Sequence, residues 1–172
     1  MPNWCQNSLK LTHADPTQIA RAVDAYKAER LLGEFQPCPP ELLKGQGWYD
    51  WCILNWGTKW DVGHKDIDPN VDADGTSANF GFDSAWSPPV EWYHHMETLG
   101  FEVTAYWWEP GMSFCGRFAD SIEEEYDIEG DADWVDANIP KDINEAMCIA
   151  ENMSMWEDDA EDESGEQPAT SA

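Results

Sequence analysis

Basic residues are scarce in this 172-residue chain: nine Lys plus Arg stand against 35 Asp plus Glu, a formal net charge of −26. So few cations cannot line a groove and neutralise phosphates, so direct nucleic-acid binding is not expected, and anionic membranes repel such a surface. Long apolar runs are also missing. No stretch approaches the roughly 20 residues that span a bilayer, and residues 1–7 have neither the basic nor the apolar part of a secretory leader. The expectation is a protein of the host-cell cytoplasm that does not enter membranes. The five cysteines (Cys5, Cys38, Cys52, Cys115 and Cys148) are odd in number and form no C-x-x-C pair, suggesting neither a disulfide framework nor a zinc site. His94 and His95 are adjacent on a predicted helix, about 100° apart, and cannot share one metal. With His13 and His64 elsewhere no three-ligand set is visible, and neither metal nor cofactor is expected.

What the chain has in excess is tryptophan. Eleven Trp, each able to bury roughly 200 Å², can replace many aliphatic residues in a small core. Residues 5–11 alternate polar and apolar and predict a strand. Asp15-Pro16 supplies an N-cap and a Pro at the first helical position, and Ile19, Ala22, Val23, Tyr26 and Leu31 follow at helical spacing until Gly33. Pro37 to Pro40 break the chain, and residues 41–44 suit one helical turn. The aromatic stretch 48–61 reads as an ordered loop leading into a strand near 59–62, and residues 66–75 as a polar connection. A strand at 77–83 places Ala78, Phe80 and Phe82 on one face. A helix opens after Ser87-Pro88-Pro89 and stops at Gly100. A strand at 101–109 turns through Pro110-Gly111 into 113–119, and an edge strand follows at 122–128. This order predicts an α+β protein: a ferredoxin-like sandwich, with an antiparallel sheet carrying two helices on one face, plus an acidic C-terminal extension. The expected division is a domain at 1–119, an acidic and partly helical extension at 120–156, and an acidic disordered tail at 157–172.

Three strings occur in order within the first part: Met1-Pro2-Asn3-Trp4-Cys5, Asn55-Trp56-Gly57-Thr58-Lys59-Trp60-Asp61 and Phe82-Asp83-Ser84-Ala85-Trp86-Ser87-Pro88-Pro89, followed by Phe114-Cys115-Gly116. Residues 1–119 thereby resemble the YubB ferredoxin-like domain family of plasmid and phage proteins. The resemblance implies the ferredoxin-like fold and a mobile-element origin, and it implies no enzymatic activity.

Several segments invite a chemical reading. Trp56, Lys59, Trp60 and Trp86 form a possible secondary site, with Trp56 and Trp60 as a stacking platform; the plainer reading makes both rings core. Phe80, Phe82, Tyr106 and Trp108 suit a base-stacking sheet face, but the charge balance opposes it. Asp66 to Gly75 has calcium-loop spacing in part, yet Gly81 stands where a bidentate Glu is needed. Cys52 or Cys115 would need a nearby base to act as nucleophiles; free buried thiols are the plainer role.

Nineteen of the 35 acids lie beyond residue 119, where Lys141 is the only base. Trp134, Val135, Ile139, Ile143, Met147, Ile149, Met153 and Trp156 sit among them and read as anchors for a partner. The expected function is therefore that of a non-enzymatic, DNA-mimic-like inhibitor. It would occlude the nucleic-acid-binding surface of a basic host defence protein, of restriction, CRISPR or similar type. The candidate partner-binding residues are Glu123, Glu124, Glu125, Asp127, Glu129, Asp131, Asp133 and Asp136, then Glu157, Asp158, Asp159, Glu161 and Asp162. The alternative is a small-ligand or nucleotide-binding module, or an unrecognised enzyme, with its site at the loop from Trp56 to Trp60.

Overall fold

Strict alternation sets the central strand. In the computed structural model, which describes residues 3–45 and 47–156, β1 (Trp4–Thr12) turns Cys5, Asn7, Leu9 and Leu11 inward and leaves Trp4, Gln6, Ser8 and Lys10 exposed. It pairs antiparallel with β3 (Ser77–Ala85) on one side and β4 (Glu102–Glu109) on the other, Leu9 lying opposite both Phe80 and Ala105. A two-residue β2 (Asn70–Val71) adds to β3. A hairpin of β5 (Phe114–Ala119) and β6 (Ile122–Asp127) adds to β4. The result is one six-stranded antiparallel sheet in the order β2-β3-β1-β4-β5-β6.

One face is covered by α1 (Pro16–Lys27), α2 (Leu31–Phe35), α3 (Pro40–Leu43), α4 (Gly47–Trp56) and α5 (Val90–Thr98). Asp15 caps α1, its carboxylate accepting the Thr17 N–H at 2.9 Å. The main core lies beneath: Ile19, Tyr26, Leu32, Trp92, Tyr93 and Met96 from the helices meet Leu9, Phe80, Val103 and Trp107 from the sheet. Two indoles donate to carbonyls of α2 and its C-cap, Trp92 to Leu32 and Trp56 to Gln36, at 3.1 and 2.9 Å.

The structure differs from the sequence reading at two places here. α1 ends at Lys27, because Glu29 takes a left-handed conformation (φ 56°), and Gly33 lies inside α2. Residues 47–56 are helical and 59–62 form no strand. The segment is apolar nearly all round, so no helical period marks it, while Gly57 (φ 84°) ends the helix with its N–H on the Ile53 carbonyl.

The other sheet face is also covered. α6 (Ala132–Asn138), α7 (Lys141–Met147) and a helical segment at 149–156 pack there. Val135, Ile143 and Ile149 are wholly buried against Trp108 and Cys115. Trp107 and Trp108 thus point to opposite faces, and each anchors a core. This corrects the expectation of partner anchors: Val135, Ile139, Ile143 and Ile149 are spent inside the protein, and only the margin of the layer, notably Trp156, is exposed. The sheet runs on through residue 120, so 120–156 shares its second core with 1–119.

Candidate binding surfaces

Hydrogen bonds gather the three sequence strings at one corner. The Trp86 N–H donates to the Asn3 carbonyl at 3.0 Å. The Thr58 hydroxyl donates to the Ala85 carbonyl at 3.0 Å, and the Ser87 hydroxyl to the Gly57 carbonyl at 2.6 Å. Strings distant in sequence therefore fix one another through buried or half-buried polar groups, the low-dielectric setting in which such bonds count most.

What this corner displays is aromatic. Trp4, Trp60 and Trp86 are 47, 39 and 37% exposed. Trp60 stacks on Trp86 (centroids 6.5 Å apart, 24° between planes) and lies 6.0 Å from Trp4. The Lys59 ammonium lies 4.4 Å from the Trp60 centroid, 5.1 Å from Trp86 and 5.8 Å from Tyr49, a cation–π arrangement. Trp86 holds φ 67°, a strained conformation for a bulky side chain, costing on the order of 1–3 kcal/mol. Of the four secondary-site residues the structure brings together Lys59, Trp60 and Trp86. Trp56 is buried against Trp51 and forms no platform with Trp60. Trp4 takes that place. It was legible as the one large ring on the polar side of an alternating strand.

Beside this corner a groove of about 800 Å³ runs between β3 and the loop 60–67, lined among others by Trp4, Gln6, Trp60, His64, Asp83 and Met147. Asp61 anchors the loop: its carboxylate accepts the N–H groups of Leu32, Gly33 and Val62 at 2.7, 2.9 and 2.9 Å.

The acids divide by role. Glu124 and Asp142 both bind Arg117, each with one contact at 2.5 Å. Asp131 caps α6 through the Trp134 N–H, and Asp136 accepts from Asn144 at 2.8 Å. Glu123, Glu125, Asp127, Glu129 and Asp133 are exposed, and among the described residues none of them forms an ion pair. Glu157, Asp158, Asp159, Glu161 and Asp162 lie outside the described residues.

The remaining candidates resolve differently. Phe80 and Phe82 face the main core while Tyr106 and Trp108 face the second, so the four rings share no open sheet face. Asp74 caps its own turn through Thr76, and the Asp72 carboxylate binds Ser77. Among the described residues no group of three or more His, Cys, Asp or Glu is placed to hold a metal, and no helix is long and apolar enough to cross a membrane. Burial pushes the Cys52 thiol up to about 11 and Cys115 up to about 12, so neither is a thiolate near neutrality. No family model, curated protein or solved structure matches the chain.

The carboxyls predict an unusual pH response. Desolvation raises Asp61, against three N–H donors, and Asp83; desolvation followed by repulsion from Glu123 and Asp127 raises Glu125. A raised carboxyl favours the folded state when protonated, so stability grows as pH falls from neutrality toward the carboxylate range. Asp15 and Asp74, held down by hydrogen bonds to Thr17 and Thr76, and Glu34, held down by Arg21 and Arg30, act oppositely. Their contribution is present above about pH 4 and is lost as pH falls through their lowered values. With repulsion from the net charge of −26 relieved in the same direction, the melting temperature is expected to be higher near pH 5 than at pH 7 in low salt, and to rise with salt at pH 7. A thermal melt series showing the reverse order overturns this balance.

Proposed function

We propose that this is a non-enzymatic interaction protein of plasmid or phage origin, with a ferredoxin-like core, that presents fixed carboxylates to a basic nucleic-acid-binding surface of a host defence protein. The supporting observation is the β6–α6 margin. Same-face residues Glu123, Glu125 and Asp127 recur along a strand at about 6.8 Å, and two more exposed acids follow in the chain, Glu129 in the connection and Asp133 in the first turn of α6. A nucleic-acid strand carries one charge per about 3.4 Å of axis, wound about it, so through-space separations are comparable. The carboxylates are set on folded elements, so little conformational freedom would be lost on binding. The same charges also discourage edge-to-edge pairing of β6, and the two roles are compatible. The ferredoxin-like assignment is supported by the order β2-β3-β1-β4 with α1 and α5 over one face. The mobile-element origin rests on the three strings.

Deleting residues 120–172 is a poor test, because it strips the cover from Trp108 and Cys115. Neutralisation is cleaner. The combined variant E123Q/E125Q/D127N/E129Q/D133N keeps shape and removes five charges. The parent is expected to displace labelled duplex DNA from purified restriction or CRISPR effector complexes, losing potency as salt rises, and the variant is expected to lose at least tenfold in potency. Equal potency of parent and variant sinks the proposal.

A further inference from the structure

The strand edge farthest from β6 is incompletely covered. β2 pairs only with Ala78 and Asn79, leaving residues 80–85 of β3 without a neighbouring strand on the side away from β1. The outward direction of alternate backbone groups follows from the bonds they make. The Ser77 carbonyl takes the Asp72 N–H at 3.0 Å, the Gly81 carbonyl takes the Tyr26 hydroxyl at 2.5 Å, and the Ala85 carbonyl takes the Thr58 hydroxyl at 3.0 Å. Asp83 stands between the last two, with the same outward phase. Among the described residues no hydrogen bond beyond the ladder satisfies its outward N–H and C=O, nor the Gly81 N–H. Both residues are exposed.

This open ladder borders the 800 Å³ groove. Gly81 has open space where a side chain would stand, since an added Cβ meets nothing within 4 Å. The walls suit a cation. The Asp83 carboxylate has no ion-pair partner among the described residues, Trp4 and Trp60 are among the residues that line the groove, and the net charge of the whole chain is negative.

We propose that the open edge of β3 is a strand-addition site for an extended basic peptide segment of a partner protein. Its main chain pairs with the Gly81 N–H and with both backbone groups of Asp83, and a Lys or Arg side chain on the groove face lies against Trp60 or Trp4 and meets the Asp83 carboxylate. Main-chain pairing supplies affinity and the alternate side chain supplies selectivity, as in other strand-addition complexes. The cation gains a charge-assisted hydrogen bond and a ring face. The site stands apart from the β6 margin and does not depend on the function proposed there.

The test is fluorescence polarisation of short labelled peptides bearing Lys or Arg at every second position, with amide NMR of the full chain. Saturable binding with shifts of the Gly81 and Asp83 amides is expected. Affinity should fall at least tenfold for D83N, and as much for a peptide N-methylated at the pairing position, which keeps its charge. The β6 variant E123Q/E125Q/D127N should bind as the parent does. Absence of binding overturns the proposal. So does binding that ignores D83N and N-methylation but is lost in the β6 variant, which would mark nonspecific attraction to the acids.

Discussion

Gly116→Ala is expected to be among the most damaging single-methyl additions this protein can receive. Gly116 sits on β5 between Trp107 of β4 and Glu125 of β6. A Cβ there would stand 2.4 Å from the Glu124 carbonyl oxygen and 2.5 Å from the Trp107 ring. The first is a ladder backbone and the second a fully buried indole, so neither can yield cheaply. Overpacking a tight core costs typically 1–3 kcal/mol; with two unyielding neighbours, about 3 kcal/mol or more is expected. For a chain of this size that corresponds to a fall in melting temperature of roughly 6–12 °C. Circular dichroism melts of parent and G116A check it, and a shift under about 2 °C overturns it. The glycine exists so that Trp107 can lie flat across the strand, and the main core depends on that ring.

That requirement was partly legible. Gly116 was conspicuous inside a strand, but its reason is a contact between strands that no local pattern reveals. The α+β class and the antiparallel sheet followed from strict periods: β1 and β3 alternate cleanly, and Asp15-Pro16 and Ser87-Pro88-Pro89 announce helices. α4 was hidden because Trp48, Trp51, Cys52, Ile53, Leu54 and Trp56 leave no polar face to define a period, and Leu54 remains largely exposed. The second core was hidden by charge. Acids around Val135, Ile143 and Ile149 suggested a surface element, yet β4 carried the counter-signal: Val103, Ala105 and Trp107 alternate with Tyr106 and Trp108, so the strand is apolar on both faces. A strand read that way is one buried on both sides. The exposed corner of Trp4, Trp60 and Trp86 was half visible, because its strings were recognised but their convergence is tertiary.

Both sheet faces are covered, and the two sheet edges are prepared differently. The β6 edge is exposed with Glu123, Glu125 and Asp127 and repels strands. The β3 edge carries a single charge, Asp83, and is screened from casual pairing by the loop 60–67 and by hydroxyl groups on two of its carbonyls.

Asp61 is the residue that holds the loop, and its loss is expected to disturb the groove and the fold together. One carboxylate accepts three backbone N–H groups, two at the start of α2 and one from Val62. The packing is so close that a side chain at Gly33 would collide with it, a Cβ standing 2.6 Å from the Asp61 oxygen. Removing the carboxylate orphans all three donors in a mostly buried setting, at about 1–3 kcal/mol for each group that water cannot reach. D61A is therefore expected to cost about 3–5 kcal/mol. D61N should cost less, about 2 kcal/mol, since one amide oxygen still accepts while its NH₂ meets a donor. Urea unfolding of the three proteins checks the order, and D61A within about 1 kcal/mol of the parent overturns it. In D61N, which stays folded, amide exchange should quicken at Leu32, Gly33 and Val62 before it quickens in β1. Protection unchanged at those three amides would mean that the loop is held by something other than this carboxylate.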